Sequence, residues 1–413
     1  MVRIVSIVFM SQTLVHEREN MNKGLSVFLD LSRWVAAILV LVTHLNNRMF
    51  IHFGGVSPND RSIGLYIWTF VCGFAHHAVV IFFVLSGFLV GGKLMRDAKK
   101  IDYGYLSKYS IARISRIYTV LIPALALTTL LDWVGASYLN GADVYSIAEQ
   151  TQRLNLVTLL GNVVNLQNIF FLTYGTDNAL WTLASEFWYY MTAPLLLAPF
   201  TQLRGRLRWF LFAIGCTLLV VFTIRSPDYG AGFALWTIGA AAAVMPGALI
   251  KRPGVAIACF LVSVVGFRLV IRSHQMDQFW IRFGSDLIVS GLLAIALISL
   301  RFADTIQFWG SSFHKGMADF SYSLYAIHTP IIMFCCAALE TAFSFGWKEL
   351  PIGWTVAAGA FAVLLIVLVC AYLFSRVTEV NTSRVRTRLA RLLNISHGHV
   401  GIREDSQLAQ MKR

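Results

Sequence analysis

In the stretch LDLSRWVAAILVLVTHLNN, residues 29–47, Arg33 and His44 flank an apolar run with nothing ionisable between them. Eleven helical steps of about 100° return to within about 20° of the starting direction, so both side chains project from one face. They stand roughly 16 Å apart along the axis. An imidazole suits general-base chemistry near neutral pH, and a guanidinium suits the holding of an anion. A charge at mid-membrane costs about 2.5–3.5 kcal/mol on insertion scales, so each ionisable residue in so apolar a helix is a functional candidate. LWTLASEFWYYMTAP, residues 180–194, buries Glu186, a carboxyl that needs a partner or a proton there. ADFSYSLYAIHTPII, residues 318–332, puts Ser321, Tyr325 and His328 on one helical face beside Tyr322. AHHAVVIFFVLSGFLVGG, residues 75–92, carries His76 and His77 and then Ser86-Gly87, small residues that admit close helix approach. In IARISRIY, Arg113 and Arg116 share a face at i, i+3, near Arg33 in depth, and such guanidiniums suit a phosphate-rich ligand. Each histidine taken singly is more often a satisfied core residue. Four polar helices together argue for one interior cavity.

The elements that must position these residues are membrane spans. The chain of 413 residues is 57% hydrophobic and 13% charged, about half the charge of an ordinary soluble domain. Its mean hydropathy of +0.65 points the same way. Ten apolar runs of near-spanning length occur, at about 27–46, 66–91, 114–134, 180–200, 208–224, 230–249, 254–271, 284–300, 321–341 and 353–375. The expected fold is therefore all-α: one polytopic bundle of about ten transmembrane helices with both termini cytoplasmic. On that topology 25 of the 34 lysines and arginines fall on the inner side and 8 on the outer, with Arg33 inside the first helix. This bias is the positive-inside pattern, so the net charge of +13 reflects topology rather than a nucleic-acid footprint.

Three parts are expected: a cytoplasmic segment 1–24, a transmembrane domain 25–376 and a basic cytoplasmic tail 377–413. The opening MVRIVSIVFMSQ lacks a small-residue cleavage site and is not read as a signal peptide; Met21 is an alternative start to Met1. Outer residues 135–179 are Asn-rich, and RLNLVTLLGNVVNLQNIFF either lies along the interface or dips inward. In the tail, RVRTRLARLLNI interleaves basic residues with leucines at helical spacing, as an amphipathic helix on an anionic leaflet does. The six cysteines fall within spans and show no CxxC spacing, so neither disulfides nor a metal site are expected.

Five blocks in order resemble acyltransferase family 3, membrane enzymes that acylate sugar hydroxyls and other alcohols. These are LDLSRWVAAILVLVTH with Arg33 and His44, FFVLSGFLV with Ser86 and Gly87, and RISRIYTVLIP with Arg113 and Arg116. The others are LWTLASEFWYYMTAP with Trp181, Glu186, Tyr189 and Pro194, and SYSLYAIH with Ser321, Tyr322, Tyr325 and His328. The resemblance runs from residue 25 to about 379. Thr182 stands where many members have Ser, and Glu379 is followed by Val380 where many have Pro.

The resemblance implies an O-acyltransferase of the cell inner (plasma) membrane that binds no permanent cofactor. It would move an acyl group, most simply acetyl, from cytoplasmic acyl-CoA to a hydroxyl of a cell-surface, exported or lipid-linked saccharide. On that scheme Arg113 and Arg116 bind the CoA phosphates, with Arg33 at the same inner mouth. His44 is the general base, with Arg33 and Glu186 completing the catalytic set, Glu186 orienting His44 or holding the acceptor. Ser86, Trp181, Ser321, Tyr322, Tyr325 and His328 line the substrate path, Tyr322 or Ser321 donating to the thioester oxygen. The partners expected are acyl-CoA, the saccharide and membrane lipids, and no nucleic acid. A transporter or flippase with a buried Arg/His/Glu relay is the alternative, although no repeat relates the two halves.

Overall fold

The computed structural model describes residues 22–139, 144–145, 152–270, 278–303, 308–344 and 354–393. The choice between Met1 and Met21 lies outside them, as does the end of the tail. Among the described residues the chain is helical and forms no strand. α1 (Lys23–Met49) is capped by Asn22, whose side chain accepts from the Gly24 amide. α2 (Ile63–Val71) and α3 (Ala75–Ser86) follow, and a π-helical turn, Gly87–Gly91, joins α3 to α4 (Gly92–Arg96). α5 (Tyr103–Tyr138) is capped by Asp102 and α6 (Leu156–Val163) by Asn155. Then come α7 (Trp181–Leu196), α8 (Arg206–Arg225), α9 (Pro227–Val244), α10 (Pro253–Val270) and α11 (Phe279–Arg301). α12 (Ser311–Asp319), α13 (Ser321–Phe343), α14 (Trp354–Val377) and α15 (Thr382–Leu392) complete the described chain.

Each of the ten apolar runs is helical over most of its described length. Among the described residues, eight stretches are long and apolar enough to cross a membrane, and they contain α1, α2–α4, α5, α8, α10, α11, α13 and α14. α7 and α9 are not among them, for a physical reason. α7 has only 16 residues and carries Glu186, and α9 opens on Pro227-Asp228. Both pack inside the bundle, where Tyr189, Tyr190, Tyr229 and Trp236 are buried against neighbours rather than against lipid. By contrast α10 buries only Ala256 and Phe260, while Val262, Val265 and Leu269 lie exposed, as suits a helix at the lipid-facing rim.

The helices alternate in direction, so the bundle has a basic end and an opposite end. At the basic end, Nη1 of both Arg96 and Arg301 donates to the Ala243 carbonyl near the C-terminus of α9. These cations satisfy a helix terminus that its own backbone leaves open. At the opposite end Arg282 pairs with Asp228, and Arg268 donates to the Thr69 and Phe70 carbonyls.

The SGF block makes the closest crossing. A Cβ on Gly87 would stand 1.8 Å from the Trp236 carbonyl oxygen, and one on Gly239 would stand 2.0 Å from the Val84 carbonyl oxygen. Only glycine permits α3 and α9 to meet backbone to backbone there.

The Asn-rich segment dips inward instead of lying flat. After α6, Asn165 takes a left-handed conformation (φ 57°) that asparagine tolerates, and the chain turns back. The Asn165 carbonyl accepts from Trp188 Nε1 (2.8 Å), and the Val163 carbonyl accepts from the Tyr118 hydroxyl (2.8 Å). Asn162, fully buried, donates to the Thr158 and Leu172 carbonyls and accepts from the Tyr174 amide. Non-helical backbone at this depth survives because protein groups satisfy it. In the tail, the expected basic amphipathic helix forms as α15, which packs along the basic end of α5 and buries Ala390.

Candidate functional site

Two clusters share the interior, joined by one face of α13. The first is a histidine pair. His44 lies on α1 beside Thr43, whose hydroxyl is 2.8 Å from the Leu39 carbonyl and 2.7 Å from that of Cys72, fixing α1 against the end of α2. Its Nδ1 stands 3.0 Å from Nε2 of His328, with ring centroids 4.9 Å apart. His328 is buried, and its Nδ1 lies 2.8 Å from the Tyr325 carbonyl and 3.2 Å from that of Leu324. Both flanks of His328 on α13 are pinned. Thr329 donates to Asp177 (3.1 Å), and the Tyr325 hydroxyl accepts from Thr182 (2.8 Å).

The second cluster sits toward the basic end, about 9 Å lower along α13 by the rise from Tyr322 to His328. It begins with a directional chain of hydrogen bonds. Trp236 Nε1 donates to Ser86 Oγ (3.2 Å), Ser86 lies 3.0 Å from the Tyr190 hydroxyl, and Tyr190 donates to Glu186 Oε1. An indole can only donate, and the Tyr190 hydroxyl donates to the carboxyl, so both hydroxyls in this chain point toward Glu186. Arg113 lies over the rings of Tyr109 and Tyr190, and Arg116 lies 4.8 Å from the Tyr322 ring centroid. Arg116 also pairs with Glu379 (2.9 Å), whose second oxygen accepts from the amide (3.2 Å) and hydroxyl (2.7 Å) of Ser323. Glu379 thus ties α5, the start of α13 and the turn after α14 into one corner.

Two donors in this cluster have no acceptor. Arg113 Nε and the Tyr322 hydroxyl are buried without a hydrogen-bond partner. Arg116, Tyr322 and Tyr325 are each half-buried, with part of their surface open. Orphan donors beside two guanidiniums await oxygen acceptors, and phosphate or carbonyl oxygens fit both.

The predicted residues therefore fall into groups. His44 and His328 meet directly. Ser86, Glu186, Arg113, Arg116 and Tyr322 gather at the second cluster, and Tyr325 lies between the two. Arg33 is half-buried on the His44 face of α1, toward the basic end. Trp181 opens α7 and packs its ring edge-on against Phe83. Ser321 gives its hydroxyl to the Ala318 carbonyl (2.8 Å), so the Tyr322 hydroxyl is the free donor of that pair. Glu186 is bonded to Tyr190, and the group on His44 is His328. Of the two roles expected of Glu186, orienting His44 or holding the acceptor, the first position is taken by the ring of His328.

Sequence reasoning missed Tyr190 and Trp236 as members of the Glu186 chain, and Asp286, which pairs with His76 (2.8 Å). It noted Glu379 only as an imperfect match; the single acid between residues 350 and 403, in a basic and apolar stretch, was the available signal. It also missed Arg386 of α15, which lies within electrostatic reach of Arg113.

A bundle with apolar rims, holding a histidine pair and a guanidinium nitrogen without an acceptor in its interior, defines a multi-pass membrane protein. The profile described as an acyltransferase domain matches residues 26–376, and the chain belongs to acyltransferase family 3. It is a membrane acyltransferase, which sets the transporter reading aside. No curated protein and no solved structure matches the chain.

Proposed function

We infer that the protein takes an acyl group, acetyl in the simplest case, from acyl-CoA at its basic, cytoplasmic end. It passes the group to a carbohydrate hydroxyl arriving from the opposite end of an inner (plasma) membrane. The observation that carries this reading is the pair of buried, unpartnered donors, Arg113 Nε and the Tyr322 hydroxyl, beside Arg116. The CoA phosphates bind Arg113 and Arg116, with Arg386 from α15 and Arg33 from α1 adding positive charge at the same mouth. The pantetheine arm then runs along the α13 face past Tyr322 and Tyr325 toward the histidines. Glu186, at the head of a donor chain fixed by Trp236 and Ser86, holds Tyr190 in place under Arg113.

The reaction balances without a cofactor. His44 Nε2 takes the proton from the acceptor hydroxyl as its oxygen attacks the thioester carbonyl. The carbon–sulfur bond breaks, and the CoA thiolate leaves with that proton. The products are an ester and free CoA. The test is purified protein in nanodiscs given acetyl-CoA and extracted surface glycan, with ester formation followed by mass spectrometry. Deletion of the gene should remove an acyl increment from a surface saccharide. An unchanged glycan, together with acetyl-CoA that neither binds nor turns over, overturns the reading.

A further inference from the structure

The hydrogen-bond geometry around the two histidines fixes more than their proximity. His328 Nδ1 faces two backbone carbonyls, from Tyr325 at 2.8 Å and Leu324 at 3.2 Å, and carbonyls only accept. Nδ1 of His328 therefore carries a proton. In the neutral ring Nε2 is then a bare lone pair, and it stands 3.0 Å from His44 Nδ1. His44 Nδ1 must be the donor across that gap, which leaves His44 Nε2 bare.

The competing state is a doubly protonated His328 that donates to His44 and reverses the tautomer. It would bury an imidazolium, and no carboxylate forms an ion pair with either ring among the described residues. An uncompensated buried charge is costly, so the neutral pair is favoured. The titratable groups around the pair are Tyr325 one turn below, Arg48 one turn beyond His44, and Asp177, which is occupied by Thr329.

We propose that His328 is a positioning residue that acts through His44, accepting its Nδ1 proton and so presenting His44 Nε2 as the proton acceptor. The isolated side chain favours the opposite, Nε2-protonated tautomer, so without His328 most His44 rings would aim a proton at the substrate. This inference rests on the reading of His44 as the base, and the tests separate the two.

The first test is ¹⁵N NMR of histidine-labelled full-length protein in nanodiscs, with His44 assigned by the signal lost in His44→Gln. The expected spectrum shows His44 protonated at Nδ1 and bare at Nε2. A wild-type His44 protonated at Nε2 overturns the proposal whatever the kinetics. The second test compares two substitutions by steady-state kinetics. His328→Phe keeps a ring and removes the acceptor, and it should lower kcat about 10²-fold with the acyl-CoA KM within about twofold. His328→Gln places a carbonyl oxygen about where Nε2 stood and should recover at least tenfold of that loss. Equal kcat for the Phe and Gln variants, with a retained His44 tautomer, also overturns it. Full turnover by His44→Ala with an Nδ1-protonated wild-type ring would instead refute the base assignment alone.

Discussion

The two interior clusters solve opposite problems with side chains of similar size. The arginine cluster carries surplus hydrogen-bonding capacity: two cations, two carboxylates already engaged by Tyr190 and by Ser323, and two donors with nothing to bind. The histidine cluster is closed upon itself, every assigned proton directed to a carbonyl or a ring nitrogen, with one lone pair left over. A site that binds an anion must await its ligand partly unsatisfied. A site that moves one proton must already know which atom is empty. Binding and chemistry should therefore fail in different kinetic constants.

The largest effect should come from His44→Ala. Loss of the base should lower kcat by about 10²–10⁴ while acyl-CoA still binds and protein still accumulates in the membrane. Near-normal turnover would break the division between the ends. Glu379→Gln should come next and should appear in stability. It strips Arg116 of its carboxylate and weakens the hold on Ser323, and since Arg116 is a third exposed the loss is about 1–3 kcal/mol. Thermal unfolding in detergent should shift down, and an unshifted midpoint would show that the corner is not structural.

Arg113→Ala should raise the acyl-CoA KM about tenfold and leave the acceptor KM alone. Arg113→Lys should rescue poorly, since a point charge replaces neither the planar stacking over Tyr109 and Tyr190 nor a bidentate grip. The smallest effect should be that of Thr182→Val, which removes the hydroxyl on Tyr325. A net loss of about 1 kcal/mol or less is expected, read as a few-fold fall in kcat. An effect larger than that of Arg113→Ala would place Tyr325 in the chemistry itself.

Much of this arrangement was legible in the sequence because a helix has a known period. The eleven-residue interval of Arg33 and His44, the i, i+3 step of Arg113 and Arg116, and the common face of Tyr325 and His328 follow from about 100° per residue. Periodicity gives a face within one helix but not the helix it meets. His44 and His328 lie 284 positions apart, and only the crossing of α1 with α13 joins them. The same holds for Arg116 with Glu379 and His76 with Asp286. The inward course of residues 153–171 was one of two open readings. Its resolution turns on Asn165 meeting Trp188 and Tyr118, contacts that hydropathy does not encode. The tail helix itself was legible as a basic amphipathic stripe, but its packing on the flank of α5 was not.

The seam between α3 and α9 bears on how the two substrates can meet. With Gly87 and Gly239 in contact with facing carbonyls, there is no slack for one half of the protein to rock against the other without parting peptide from peptide. Machines that ferry cargo by tilting need a lubricated joint in that place. Here the joint is a weld, so any opening that admits a substrate has to form elsewhere than between α3 and α9.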